Sequence, residues 1–226
     1  MHLTIGTPMF GGNCFGEYTQ SLLDVSNYFN SKPNHLLTTI FVRNQSLITL
    51  ARNSITHTFL NKTNSQYLIF IDADISFRTE DILRMLSYDK DILVGLYPMK
   101  YIDWNRLKLN RNKKDLENYY QIYPVNPVNK QHKNKIFQIK WGGCGFMLIK
   151  RNVFTKLKEY VTTFIHNNEM IYNFFESGVE KNTNLHLPED FNFCQKFNDI
   201  GGKIYADPQC VLSHYGNFEF KNSIIL

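Results

Sequence analysis

The chain has 226 residues, of which 43% are hydrophobic and 15% aromatic, and its formal net charge is +5 at pH 7. This length and composition fit one large globular α/β domain or two small ones. The charge is too small to indicate a nucleic-acid-binding protein, although it favours an anionic substrate such as a nucleoside diphosphate. No stretch approaches the roughly 20 apolar residues that a membrane-spanning helix needs.

The four cysteines lie far apart and form no C-x-x-C pair. Their spacing argues against a zinc knuckle and a disulfide framework, and it fits a reducing compartment. The first residues lack the basic region and long apolar region of a signal peptide. We therefore expect a cytoplasmic protein.

The first hundred residues alternate between apolar runs typical of strands and the apolar periodicity of helices. This alternation predicts parallel strands joined by right-handed crossovers. The predicted strands are 2–5, 36–42, 67–71 and 91–97, and the predicted helices are 17–29, 47–60 and 79–86.

The alternation stops after residue 102. Residues 103–135 are basic and aromatic without periodicity, which is typical of a lid over a site or of a solvated insertion. The stretch 164–187 is equally without assignment. Residues 136–150 contain two strand-like halves around a run of glycines, and a helix is predicted at 151–161. A second helix is predicted from Pro188 to the glycines at 201–202. The final predicted strands are 203–206 and 210–212.

The central segment is the strand at 67–71 and the Asp72-Ala73-Asp74 motif that follows it. Because side chains alternate along a strand, we expect Asp72 and Asp74 to point to the same side. The carboxyl ends of such strands are where open α/β sheets bind ligands, and paired carboxylates suit Mg²⁺ or Mn²⁺. For an isolated D-x-D tripeptide, two carboxylates that merely solvate a strand end are an equally good interpretation.

Other polar residues also have an ordinary structural interpretation. Arg52 interrupts the apolar face of the helix at 47–60, and periodicity alone favours an Arg that extends to solvent. Glu189 and Asp190 follow Pro188 in the first helical turn, where carboxylates contribute about 0.3–1 kcal/mol through the helix dipole. His214 after the last strand is most simply a hydrogen-bonded polar residue.

Taken in order, three segments resemble the nucleotide-sugar glycosyltransferases of the GT-A fold. They are IFIDADI, GGCGFMLIKRNVF and PEDFNFCQKFNDIGGKIYADPQCVLSHYG. The chain looks most similar to small single-domain enzymes of large DNA viruses that build capsid glycans, and the resemblance runs from Leu3 to Gly216 except for 103–135 and 164–187. It implies a single GT-A domain, 1–226, with a Rossmann-like, mostly parallel mixed sheet flanked by helices. Its nucleotide-binding half would be 1–100 and its acceptor-side half 136–226.

The resemblance also implies roles for individual positions. Asp72 and Asp74 match the D-x-D that holds the divalent cation, and His214 matches a late histidine that completes the metal shell. Cys144 stands inside the matched glycine loop as a departure from the family pattern, and Lys100 fits a recurring basic position without a defined role. The other implied contacts are Thr7 and Pro8 with the base, Arg52 with the nucleotide, Gly143 to Gly145 with the donor sugar, and Glu189 and Asp190 with the acceptor.

The expected function is therefore transfer of a sugar from a nucleoside diphosphate sugar, with UDP as the expected nucleotide, to a glycan or glycoprotein acceptor. We expect Mn²⁺ or Mg²⁺ as the cofactor, Asp190 and Glu189 as the catalytic residues, no nucleic-acid partner, and for a viral protein the host-cell cytoplasm as the location. A haloacid-dehalogenase-like phosphatase is an alternative, because Asp72 to Ser76 comes close to its D-x-D-x-[TV] motif. However, two strand–helix units precede the motif here, whereas the phosphatase motif opens its core fold. A non-catalytic nucleotide- or glycan-binding module is the second alternative.

Overall fold

The computed structural model describes residues 1–110, 112, 121–129 and 135–221. In this part of the chain the helices are α1 (Gly16–Asn30), α2 (Ile48–Lys62), α3 (Thr79–Ser87), α4 (Trp104–Leu109), α5 (Arg151–Leu157) and α6 (Glu189–Asp199), with 3₁₀ turns at Phe10–Gly12 and Lys158–Tyr160. The strands are β1 (His2–Met9), β2 (Leu36–Arg43), β3 (Tyr67–Ile71), β4 (Ile75–Ser76), β5 (Ile92–Gly95), β6 (Val125–Pro127), β7 (Phe137–Gly142), β8 (Phe146–Lys150), β9 (Thr163–His166), β10 (Glu169–Tyr172), β11 (Gly178–Val179), β12 (His186–Leu187), β13 (Ile204–Asp207), β14 (Ser213–Tyr215) and β15 (Glu219–Lys221).

An eight-stranded sheet in the order β2-β1-β3-β8-β5-β13-β7-β6 forms the centre of the protein. Strand β1 pairs in parallel with β2 and β3, and β13 pairs in parallel with β5. Strands β8 and β7 run antiparallel to their neighbours. The remaining strands of this sheet therefore share one direction, which confirms the predicted mixed, mostly parallel sheet.

Helices cover both faces of the sheet. In β3 alternate residues face opposite layers, so Leu68 and Phe70 belong to one hydrophobic cluster, whereas Ile69 and Ile71 belong to the other. The first cluster contains side chains from α2, α5 and α6, and the second contains side chains from α1 and α3. A strand buried on both faces explains the continuous apolar run in its sequence.

Several boundaries differ from the sequence prediction. Pro188 is the N-cap of α6, with ψ 168°, and the helix begins at Glu189. Residues 210–212 do not form a strand, because Cys210 and Leu212 are buried in the core while the backbone N–H of Val211 donates to Asp81 Oδ2 (3.1 Å). The last strands come later, so that His214 lies within β14, which pairs with β4.

The two stretches without assignment contain short elements. Residues 164–187 include the hairpin β9–β10 and the pair β11–β12. In 103–135, α4 begins after Asp103, whose side chain accepts from the backbone N–H groups of Asn105 and Arg106, and β6 joins the edge of the sheet. Much of the predicted lid lies outside the described residues, so its role stays a prediction. No helix in the described part is long and apolar enough to cross a membrane.

Candidate active site

The D-x-D motif lies on a tight turn immediately after β3. The backbone N–H of Asp72 donates to the Gly145 carbonyl (2.9 Å), and the Ile75 N–H donates to the Asp72 carbonyl (3.1 Å). Both acidic side chains line one cavity, as the sequence predicts, although the turn and not strand alternation brings them there. This turn is the point at which the chain passes from β3 to β4.

The two carboxylates have different partners. Asp72 Oδ1 lies 3.3 Å from Arg52 Nη2. Asp74 Oδ2 accepts from Lys100 Nζ (2.5 Å), and Asp74 Oδ1 lies 3.4 Å from His214 Nε2. Burial raises the pKa of Asp72, and Arg52 opposes that rise. Burial would also raise the pKa of Asp74, but the neighbouring His214 ring and the Lys100 ammonium outweigh it and hold this pKa below its ordinary value.

The imidazole of His214 is oriented by the backbone. Its Nδ1 lies 2.9 Å from the Pro98 carbonyl oxygen, and its ring packs edge-on against Tyr97 with ring centroids 5.4 Å apart. Because a carbonyl oxygen only accepts, Nδ1 carries the hydrogen, and in the neutral ring the lone pair is on Nε2. That lone pair faces the Asp74 carboxylate.

These atoms provide a test of whether a divalent cation fits. Asp74 Oδ1 is a buried oxygen that has no hydrogen-bond partner among the described residues, and His214 Nε2 faces it. A carboxylate and an imidazole whose other nitrogen donates to a carbonyl are a suitable donor set for Mn²⁺. Within the described ranges, however, no group of three or more His, Cys, Asp and Glu side chains is arranged to hold a metal ion. Asp74 and His214 thus fit a cation as a pair, whereas Asp72 is paired with Arg52.

The glycine-rich loop between β7 and β8 packs directly on Tyr97. The backbone N–H of Gly145 donates to the Tyr97 hydroxyl (3.0 Å), and the Gly143 N–H donates to the Pro124 carbonyl (2.8 Å). A Cβ on Gly145 would lie 2.7 Å from the Tyr97 hydroxyl. Glycine is therefore required here by close approach of a side chain.

The acidic pair at the start of α6 faces the same loop. Asp190 Oδ2 accepts from the Cys144 N–H (3.3 Å) and Asp190 Oδ1 from the Phe191 N–H (2.8 Å). Glu189 Oε1 accepts from Arg52 Nε (3.2 Å). Burial, together with the neighbouring Glu189 charge, raises the pKa of Asp190 to about 6, although Arg52 and the two backbone donors oppose the rise.

A cavity of about 440 Å³ opens beside the D-x-D turn. Asp72 and Asp74 are its acidic lining residues. Its remaining lining residues are Pro8, Phe10, Asn13, Cys14, Phe15, Gln45, Ser46, Ile48 and Ala73. The volume lies in the range of small-molecule binding sites.

Of the predicted site residues, Pro8, Asp72 and Asp74 line the cavity. The others do not: Thr7, Arg52, Gly143, Gly145, Glu189, Asp190 and His214. Pro8 lines the cavity, whereas Thr7 is fully buried with Oγ1 2.6 Å from the Tyr18 hydroxyl. Arg52 is 3% exposed, so the interpretation that it extends to solvent is wrong.

Sequence reasoning missed two aromatic residues of the site. Tyr97, at the end of the strand prediction 91–97, had no signal that separated it from core residues. Phe10 follows β1, lines the cavity and is 78% exposed. Its position directly before Gly11 and Gly12 is the one sequence signal that points to it.

No family model and no curated protein matches the chain. Among solved structures, A197 from STIV matches with a TM-score of 0.57 and 16% sequence identity, over 96% of this chain and 86% of that one. The chain has a GT-A-type fold.

The GT-A-type domain also matches S. aureus TarS 1–349. The match to its complex with UDP-GlcNAc has a TM-score of 0.44 and 12% identity over 91% of this chain, and the match to a second TarS 1–349 structure has a TM-score of 0.45 and 11% identity over 91%. The chain spans only 56% and 58% of these two TarS chains.

Proposed function

We propose that this protein is a metal-dependent glycosyltransferase that moves a sugar from a UDP-sugar to a glycan or protein-linked acceptor. The observation that carries the proposal is the cavity beside β3, which is lined both by the Asp72–Asp74 turn and by apolar side chains, among them the exposed Phe10. A nucleoside diphosphate presents the same two kinds of surface, because its base is flat and weakly polar and its diphosphate is anionic. The resemblance of three sequence segments to nucleotide-sugar glycosyltransferases and the GT-A-type fold support it.

The acidic lining residues of the cavity would bind the diphosphate through a cation. Asp74 and His214 would hold Mn²⁺ or Mg²⁺ through Oδ1 and Nε2, and Asp72 is the further carboxylate of the predicted set. When bound, the cation would supply Lewis-acid stabilisation of the charge on the departing nucleoside diphosphate. The Lys100 ammonium pairs with Asp74 and adds a positive charge next to these groups.

The apolar side chains of the cavity would bind the nucleoside. Phe10 is largely exposed and offers a flat apolar surface to a base, whereas Pro8, which also lines the cavity, is buried in β1. Burial of such surface is favourable by about 25 cal/mol per Å² removed from water. Uridine as the base rests on the resemblance.

Asp190 would act on the acceptor. In an inverting transfer the acceptor hydroxyl attacks the sugar from the face opposite the departing phosphate, and Asp190 would accept the hydroxyl proton on a carboxylate oxygen. A base with a pKa of about 6 is largely ionised at pH 7 yet basic enough to take up the proton. The Cys144 N–H fixes the orientation of this carboxylate.

Calorimetric titration tests the donor assignment. UDP should bind in the presence of Mn²⁺ and lose most of its affinity in excess chelator, and UDP-sugars with Mn²⁺ should raise the melting temperature. A ligand present at a hundred times its Kd stabilises the folded protein by about 2.7 kcal/mol, and a thermal unfolding scan resolves this gain readily. Tight UDP binding that is insensitive to chelator would contradict the metal assignment.

A turnover assay separates the enzyme from its alternatives. Release of UDP from UDP-glucose, UDP-galactose or UDP-N-acetylglucosamine should depend on Mn²⁺, whereas hydrolysis of a generic phosphate ester should be absent. Hydrolysis of the ester would favour the phosphatase, and binding of UDP without any release from UDP-sugars or transfer to a glycan panel would favour a binding module.

A further inference from the structure

The guanidinium of Arg52 joins three segments that are distant in sequence. Its Nη2 lies 3.3 Å from Asp72 Oδ1, its Nη1 donates to the Cys144 carbonyl (3.3 Å), and its Nε donates to Glu189 Oε1 (3.2 Å). It also lies over the Phe70 ring, 5.5 Å from the centroid. One side chain thus connects the D-x-D turn, the glycine-rich loop and the start of α6.

Arg52 reaches these groups from beneath the site. Its side chain is 4% exposed, and it is not among the residues that line the cavity beside Asp72. Arg52 therefore acts on a bound substrate only through the residues that it contacts. This placement differs from that of Lys100, whose side chain is 35% exposed.

Cys144 extends the connection to Asp190. The Cys144 carbonyl accepts from Arg52, and the Cys144 N–H donates to Asp190 Oδ2. The two backbone groups of one residue therefore link the guanidinium to the carboxylate. Gly143 and Gly145, on either side of Cys144, pack so closely on Tyr97 that an added Cβ would lie within 2.7 Å of its hydroxyl, which leaves the loop little room on that side.

The charges reinforce the geometry. Asp72, Glu189 and Asp190 all lie near this one buried guanidinium, and two of them touch it. The other titratable groups that face Asp190 are Cys144, Tyr97 and Cys194. Loss of the only cation in this group would leave the carboxylates to repel one another.

We propose that Arg52 is a positioning residue that holds Asp190 toward the acceptor and ties it to the donor-side Asp72, acting through the Cys144 backbone and Glu189. This inference rests on the proposed glycosyl transfer for its catalytic meaning. The mechanical and electrostatic link itself does not depend on that reaction, so that the two can be tested separately.

The link is measured by titrating Asp190 directly. In protein with ¹³C-carboxyl-labelled aspartate, the Asp190 resonance is identified by its loss in Asp190→Asn. Arg52→Met should raise the pKa of Asp190 by about one unit, because a cation that favours the ionised form is removed. Arg52→Lys keeps the charge and should leave this pKa within about half a unit of the wild-type value.

Turnover separates positioning from charge. Since one ammonium group cannot span three acceptors, Arg52→Lys should lower UDP release from the active UDP-sugar at least about tenfold, while Mn²⁺-UDP affinity stays within about threefold. Arg52→Met should lose at least about a hundredfold at pH 7. Arg84→Met is the matched control, because Arg84 also bridges two buried carboxylates, those of Asp81 and Asp207, away from the site.

The outcomes are distinct. An Asp190 resonance with the wild-type titration in Arg52→Met, or an equal shift in Arg84→Met, overturns the link. If Arg52→Met does not fold, an Arg52→Lys variant with wild-type turnover overturns it instead. If the pKa of Asp190 shifts in Arg52→Met but the wild-type protein transfers no sugar, the link is supported and the proposed function is rejected.

Discussion

The hydroxyl of Tyr97 occupies the space into which a side chain on Gly143 would extend. An ideal Cβ on Gly143 would lie 2.3 Å from this oxygen, and a Cβ on Gly145 would lie 2.7 Å from it. The same hydroxyl accepts from the Gly145 N–H. The shape of the glycine-rich loop is therefore set by one buried tyrosine.

Gly143→Ala should destabilise the protein by about 1–3 kcal/mol, because an added methyl group in a packed site forces its neighbours to move. Tyr97→Phe removes the oxygen in conflict, so the double variant should lose less stability than the sum of the two single variants. Urea unfolding of the four proteins measures this coupling. Additive losses would show that Tyr97 does not set the loop.

Asp74→Asn and His214→Ala should both impair Mn²⁺-dependent UDP binding. Asp74→Asn should abolish it and His214→Ala should weaken it, because a carboxylate is the stronger of the two ligands for this hard cation. Calorimetry with UDP and Mn²⁺ checks both statements, and unchanged Mn²⁺ dependence in Asp74→Asn would reject the assignment.

Lys100→Met should tighten Mn²⁺ binding about tenfold in the absence of nucleotide, because the Lys100 ammonium competes for Asp74 Oδ2. Manganese titration followed by electron paramagnetic resonance measures the change. Lys156→Met is the control, since Lys156 pairs with Asp91 on the surface at 3.2 Å. Equal Mn²⁺ affinity in wild type and Lys100→Met would argue against the competition.

Asp190→Asn should lower turnover by about 10²–10⁴-fold while Mn²⁺-UDP affinity stays nearly unchanged, because the change removes the base and keeps its shape. In the wild type, turnover should fall as the pH drops through about 6, where Asp190 takes up a proton. Glu189→Gln should lose less activity. A helix-dipole role alone predicts full activity in both variants, and initial rates with the active UDP-sugar distinguish the two.

Asp190→Asn should lower turnover but raise the stability of the folded protein above a pH of about 6. The pKa of Asp190 is raised in the folded protein, so its favourable contribution is present at low pH and is lost as the pH rises through about 6. At pH 8, Asp190→Asn should therefore melt roughly 2–4 °C above the wild type, and at pH 4 this gain should disappear. Thermal scans at the two pH values test the sign.

Phe10→Ala should weaken UDP binding about tenfold without loss of stability, because this exposed ring offers a stacking surface for the base and buries little of itself in the core. Tyr160→Ala is a matched control, since Tyr160 is 61% exposed and does not line the cavity. Calorimetry with UDP and unfolding curves measure the two effects. Equal affinity in Phe10→Ala would place the base elsewhere.

Local patterns were sufficient for much of the fold. The apolar run of β3 and the periodicity of α2 are set by which faces are buried, and burial leaves its signature within a few consecutive residues. The glycine loop was also visible, because close approaches select glycine, whereas the D-x-D motif was predicted as a strand end and its turn was not. Strand β8 was predicted, but its place between β3 and β5 is a long-range pairing that no local pattern encodes.

The contacts within the site were the least predictable. Arg52 and Glu189 are 137 residues apart in sequence, and His214 and Pro98 are 116 apart. Periodicity placed Arg52 at the solvent edge of its helix because its partners lie on other segments. The tautomer of His214 is likewise fixed by a distant carbonyl.

The order of the central sheet has a consequence for how the chain reaches its native state. Strand β13, near the end of the described sequence, lies between β5 and β7. A nascent chain that has not yet produced residues 204–207 leaves the edges of both neighbours without a partner, and unpaired edges invite association with other chains. Completion of the sheet thus waits for the synthesis of residues 204–207, and truncations before residue 204 should aggregate rather than yield a smaller stable protein.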